Sequence, residues 1–330
     1  MARQSVWSNL EVQKLLTEFV PVADEVWGLQ HRKDPESQLF NKIAEQGHYA
    51  GRTVPTDTRQ GTYAAAPSGV LLASINSNSP QAMADMLRRA LNKWNSLSES
   101  ERYLAEQLPP ETGRGRPEAR YPSDGLVLRE TVRDLPRELT TAADWRARAW
   151  NKDYAWFKKD EARSFLPSAL KTGESQSVPR ALIVRLARFN MIDTVRGQSP
   201  NYPESAIQKV ELSTTVEKVE GSKVRVTFSG AAKAEQQGNW AIAGYRDMNN
   251  PSSQKRGYDL QLAGVATWDT SKEKFLKFEL VAAGTRWGAT QYNGRHDDPG
   301  PAPIGYLYEL ASDAPHDKVP PSEFWGYGWR

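Results

Sequence analysis

Apolar and polar positions follow two rhythms along this chain. In the first hundred residues the spacing is mostly helical. Leu10, Val12, Leu15, Leu16 and Phe19 recur at steps that place them on one helical face, and Asn9 stands where a cap is needed. FVPVA (19–23) then reads as a short buried strand, and Pro35-Glu36-Ser37 opens a helix over 38–46. The polar stretch 47–58 reads as loop. Residues 61–66 and 70–75 predict two strands joined by a Pro67-Ser68-Gly69 turn. Ser79-Pro80 starts an amphipathic helix with Met83, Met86, Leu87, Ala90, Leu91 and Trp94 on one face.

From residue 206 onward the period shortens to two. AIQKVELSTTVEKVEGSKVRVTFSGAAKAEQ alternates on both sides of Glu220-Gly221-Ser222 and predicts a hairpin. YDLQLAGVATWDTSKEKFLKFELVAAGTRWG repeats the pattern around a turn at 269–274, and PIGYLYELA adds a further strand. At least five hairpin-linked strands imply an antiparallel β-barrel-like or strongly curved sheet, because closure protects strand edges.

The region between is mixed. LPPETGRGRPEARYPSDG opposes continuous regular structure and reads as a linker. GLVLRETVRDL alternates as a strand does. Helices are expected from Thr141, over 158–165, and from Val178-Pro179, where Leu182, Ile183, Leu186 and Phe189 share a face. Arg180, Arg185 and Arg188 on that last helix, with Arg196 beyond it, read either as a solvated cationic face or as a phosphate or nucleic-acid surface. A length of 330 residues exceeds what one core usually supports. The expectation is an α+β multidomain chain: an N-terminal α/β domain over 1–97, a linker over 98–125, a mixed, mainly helical segment over 126–205, an antiparallel β domain over 206–312 and an aromatic tail over 313–330.

Three segments carry a resemblance to a known fold. NLEVQKLLTEFVPVADEV (9–26), GTYAAAPSGVLLAS (61–74) and the helix 80–94 resemble, in order and type, the thioredoxin-like fold, and PSG at 67–69 matches the turn of its hairpin. The resemblance covers about the first hundred residues. It departs at two points: the redox Cys-x-x-Cys would fall before the first helix, where 2–8 hold no cysteine, and the cis-proline position falls near Gln60. The resemblance therefore implies a redox-inactive thioredoxin-like unit.

Composition sharpens that exclusion. With no cysteine anywhere, thiolate-bound metal, dithiol redox chemistry and disulfides are all ruled out, while any other cofactor is left open. Lys and Arg number 43 against 40 Asp and Glu, and a net charge of +3 lacks the footprint of a nucleic-acid binder. No window is apolar enough to span a membrane and the N-terminus has no signal-like core, so the expected form is soluble and unexported, or secreted with its leader already removed. Eleven Trp and twelve Tyr suit core filling and surfaces with one wet side, including the terminal run EFWGYGWR, which is expected to dock.

The densest collection of chemistry lies in GTRWGATQYNGRHDDPGPAPIG (284–305), a polar loop between two strands. Arg286, Trp287, Gln291, Tyr292, Asn293, Arg295 and Asp297 are candidate ligand-binding residues. His296 and Asp298 offer an imidazole and a carboxylate for acid–base work or for a divalent cation, although Asp297 and Asp298 serve equally well as turn caps before Pro299. His48, in a second polar loop, could complete a cleft with them. Two functions follow. One is a non-redox binding or scaffold protein that recognises a small molecule, glycan or protein through 284–305. The other is a hydrolase or lyase working through His296, Asp298 and His48.

Overall fold

The computed structural model describes residues 6–7, 9–24, 26–50, 58–103, 117–137, 149–242 and 249–329. The chain divides into two compact units, 1–115 and 116–330.

In the first unit, helix α1 (Leu10–Leu16) is capped by the Asn9 side chain, which accepts from the Glu11 and Val12 amides. Helices α2 (Val26–His31) and α3 (Pro35–Ala44) follow, with Asp34 capping the second through the Ser37 amide. Strands β1 (Thr62–Ala65) and β2 (Leu71–Ile75) pair antiparallel, and Gly69 at the turn takes a φ of +83°. Helix α4 (Pro80–Ser96), capped by Ser79, and helix α5 (Glu99–Arg102) complete the unit. Val12, Ala64, Leu72, Met83, Met86, Leu87 and Ala90 form its core. The sequence expectation fails at 19–23. That stretch forms no strand, and Val20 and Val22 are 89% and 86% exposed. Pro21 between them has no amide to give to a ladder.

The second unit is built on an eight-stranded antiparallel sheet in the order β4-β3-β10-β9-β8-β7-β6-β5. Its strands are β3 (Leu126–Asp134), β4 (Trp150–Phe157), β5 (Ser175–Ser177), β6 (Ile207–Glu220), β7 (Lys223–Trp240), β8 (Ser252–Asp269), β9 (Lys274–Trp287) and β10 (Ala302–Leu310). Helices α6 (Lys159–Arg163) and α7 (Arg180–Phe189) lie between β4 and β6 in the chain. Residues 126–205 thus supply three strands of the main sheet as well as both helices. The helix expected from Thr141 falls outside the described residues.

The inward faces of the strands and the apolar face of α7 share one core, from Leu126 and Phe157 through Leu186 to Phe228, Leu260, Phe278 and Tyr308. α7 touches strands far apart in the sheet. Arg185 Nη2 donates to the Trp156 carbonyl of β4 (3.1 Å), and the Ala187 carbonyl accepts from the Tyr258 hydroxyl of β8 (2.8 Å). The sheet therefore curves around the helix. It does not close: the strand order ends at β4 and β5, which corrects the barrel-like expectation in favour of the open curved sheet. α7 and the segment before it pack on the inner face of the sheet, where Thr214 of β6 donates to the Phe165 carbonyl (2.7 Å).

The aromatic tail covers the β4 edge. Phe324 meets Trp156 edge-on at 5.7 Å, and Tyr154 donates to Asp317 at 2.8 Å. Tyr327, packed beside Phe324, lies over Arg185 of α7. An uncovered edge would invite pairing with another chain. The solvated cationic face expected on α7 is not observed as such. Arg185 is 9% exposed, bonded to both Glu161 oxygens at 2.8 and 2.9 Å and stacked between Phe157 and Tyr327, while Arg180 is exposed. Among the described residues no helix is long and apolar enough to cross a membrane.

Candidate functional site

Inner-face residues at one end of the sheet meet loop 284–305. Strand alternation places Asp134 at the inner end of β3 and Arg286 at the inner end of β9, next to Tyr258 of β8 in register. The chain leaving α7 contributes Asp193 and Arg196, the chain leaving β3 contributes Arg137, and the loop contributes Arg295 and Asp298. These residues form one ion-pair lattice.

Arg295 lies at its centre and is fully buried. Its Nη1 and Nη2 donate to Asp134 at 2.9 and 2.7 Å, and its Nε and Nη2 donate to Asp193 at 2.7 and 2.8 Å. Asp298 binds Arg137 through both oxygens at 2.9 and 2.7 Å. Its Oδ2 also takes Arg286 Nη2 at 2.6 Å and lies 3.0 Å from Arg196 Nη2 and 3.4 Å from Arg295 Nη1. Burial alone would raise the Asp298 carboxyl, but the Arg137 hydrogen bond and the charges of Arg286 and Arg196 outweigh it and hold the group well below the usual carboxylate range. Asp134 behaves alike: burial pushes it up, and the Arg295 bond and charge pull it below its ordinary value.

The loop backbone is stitched down as well. The Asn293 side chain accepts from the Thr290 amide at 2.9 Å and the Arg295 amide at 3.3 Å, and the Gly288 amide donates to the Pro299 carbonyl at 2.7 Å. The Gln198 amide donates to the Tyr292 carbonyl at 2.9 Å. That contact requires glycine at 197, where a Cβ would sit 1.9 Å from the Tyr292 oxygen.

The candidates separate into two groups. Arg286, Asn293, Arg295 and Asp298 are inside, holding the loop. Trp287 is half-buried over Gly257 of β8, on the face opposite Arg286. Tyr292 is 47% exposed, its hydroxyl accepting from Gln291 Nε2 at 2.7 Å, and His296 and Asp297 are exposed beside it in sequence. His48 belongs to the other unit. Its Nδ1 is 2.8 Å from Ser74 Oγ, which also accepts the His48 amide at 3.0 Å, and its ring stacks on Tyr63 at 5.0 Å. His48 thus fastens the 45–50 turn to β2. Among the described residues no group of three or more His, Asp or Glu could hold a metal ion.

Sequence reading missed Asp134, Arg137 and Asp193, and named Arg196 only as a continuation of the α7 arginines. One signal was present: an aspartate and an arginine stand three residues apart in each of Asp134–Arg137, Asp193–Arg196 and Arg295–Asp298. The first pair ends an alternating strand and the second follows a helix, places where a charged pair is turned toward an interior end.

Compared with protein-family models, with curated proteins and with solved structures, the chain shows no significant similarity to any.

Proposed function

We propose that this chain is a non-redox binding protein whose recognition surface is the loop 284–305. The observation that carries the reading is the division of labour within the loop. Arg286, Asn293, Arg295 and Asp298 turn inward and hold the backbone, so Gln291, Tyr292, His296 and Asp297 stand on a preorganised frame. A ligand meeting such a frame loses less free energy to loop ordering. Tyr292 adds an amphipathic ring able to pack on a sugar or a peptide. The hydrolase or lyase alternative needs Asp298 as an acid, a base or a metal ligand. A carboxylate already accepting from Arg137 and Arg286, with Arg196 and Arg295 close by, is held ionised and occupied, which favours binding. The N-terminal unit, with its thioredoxin-like resemblance and no thiol, fits a scaffold role.

The test is a screen of the full chain against glycan and peptide arrays, repeated with the Tyr292→Ala/His296→Ala double variant. Ligands selected by the wild-type chain should lose at least about tenfold in affinity with the variant. Undiminished binding by a folded double variant would place the recognition surface elsewhere.

A further inference from the structure

Among the described residues, the lattice beneath the loop carries more guanidinium groups than carboxylates. Arg137, Arg196, Arg286 and Arg295 face Asp134, Asp193 and Asp298. A further guanidinium, that of buried Arg256, lies in the field of Asp193 but bonds only neutral acceptors: the Pro200 and Asn201 carbonyls at 2.8 and 2.7 Å and Gln236 Oε1 at 2.7 and 3.0 Å. Among the described residues, the buried side chains of Arg196, Arg256, Arg286 and Arg295, with the part-exposed Arg137 at the rim, thus stand against three carboxylates, a balance that a further anion would even out.

Three of the unused buried hydrogen-bond donors belong to this end of the sheet. Among the described buried atoms, Arg196 Nη1, Arg286 Nε and the Tyr306 hydroxyl have no partner. The two guanidinium groups are adjacent, since both approach Asp298 Oδ2, and Arg286 Nε lies 3.9 Å from Asp193. Tyr306 is on the inner face of β10, in register with Ala282 of β9, and it too lies in the field of Asp193. Between Ala282 and Arg286 the next inner-face position on β9 is Gly284, which has no side chain. Burial first, and then the Asp193 charge, pushes the Tyr306 hydroxyl upward, so it remains a donor at neutral pH. Three buried donors without acceptors, beside small residues and in a guanidinium-rich lattice, match the needs of one compact oxyanion.

We infer that this end of the sheet holds a binding site for a single carboxylate or phosphate group, gripped by Arg196, Arg286 and the Tyr306 hydroxyl and reached past Arg137 and Asp298. Arg137 and Asp298, with side chains 33% and 17% exposed, are the most open members of the lattice. The inference deepens the proposed recognition role and rests on it for its biological meaning: the ligand read by Tyr292 and His296 carries an acid group that enters below the loop.

Calorimetric titration of the full chain with inorganic phosphate and, separately, with acetate tests the site, with sodium chloride holding ionic strength constant. Saturable one-site binding of at least one of the two is expected, and the one that binds more tightly names the acid group. Tyr306→Phe removes one hydroxyl and keeps the ring, so a folded variant should bind at least about tenfold more weakly. Absence of saturable heat with both anions would mean that ordered water alone fills the gap and would overturn the inference. So would equal binding by Tyr306→Phe. Failure of the recognition reading looks different: array ligands would survive Tyr292→Ala/His296→Ala while the anion titration stayed intact.

Discussion

Arg137 and Asp298, 161 positions apart in the chain, meet through two parallel hydrogen bonds, Nη1 to Oδ1 at 2.9 Å and Nη2 to Oδ2 at 2.7 Å. The contact joins the end of β3 to the far side of loop 284–305. It is the outermost tie of a lattice whose inner members have almost no access to water, so the loop's shape depends on charges supplied by three separate segments.

Removing the central arginine should therefore cost far more than removing a surface charge. Arg295→Met keeps the length of the stem but leaves Asp134 and Asp193 buried without their main partner. A loss of about 3–5 kcal/mol in unfolding free energy is expected, read from urea denaturation. Amide exchange in 288–298 should accelerate as well. A loss below about 1 kcal/mol, the scale of an exposed ion pair, would show that the lattice is weaker than its geometry implies.

Glu130 offers a pH test. It sits on the inner face of β3, cross-strand from Asp153 and Tyr308, and its Oε2 has no partner among the described residues. Burial, and then the Asp153 charge, raises its carboxyl well above the ordinary value. The folded state thus holds a proton that the unfolded chain releases near pH 4.3. Stability from this group is greatest below that pH and falls as pH rises toward the folded-state value. Glu130→Gln, which stays neutral, should match the wild type near pH 4 and exceed it increasingly through pH 5, 6 and 7 in denaturant midpoint. A constant gap at all pH values would exclude Glu130 as the titrating group.

Gly197→Ala probes the seam between the loop and the chain leaving α7. The added methyl would meet the Tyr292 carbonyl at 1.9 Å and must break the bond from the Gln198 amide. Destabilisation of about 1–3 kcal/mol is expected, with faster amide exchange at 198. An unchanged denaturation curve would mean that the seam gives way freely.

Much of the fold can be read directly from the chain. Alternation of period two predicts the hairpins β6–β7 and β8–β9, and the turns at 220–222 and 269–274 lie where the polar interruptions are. Asn9 and Ser79 announce their helices because a cap acts within a few residues, and Pro35 opens a third. The failures are non-local. Residues 19–23 have the composition of a strand, but a strand also needs a neighbour. Closure into a barrel likewise depends on which strands pair at the ends of the order.

For the candidate site, residue types within the loop were legible and their roles were not. The absence of cysteine is a property of composition, and no folding can alter what it excludes. The alternation of β3 sorts its side chains onto two faces, and the tertiary structure decides that Glu130 and Asp134 share the inner one. Only the tertiary structure decides that Asp298 is held among four arginines and that Asp134 and Asp193 clasp Arg295. Strand order, not sequence neighbourhood, brings the ends of β3, α7 and β9 together, and Coulomb forces between buried charges act on the distances that result.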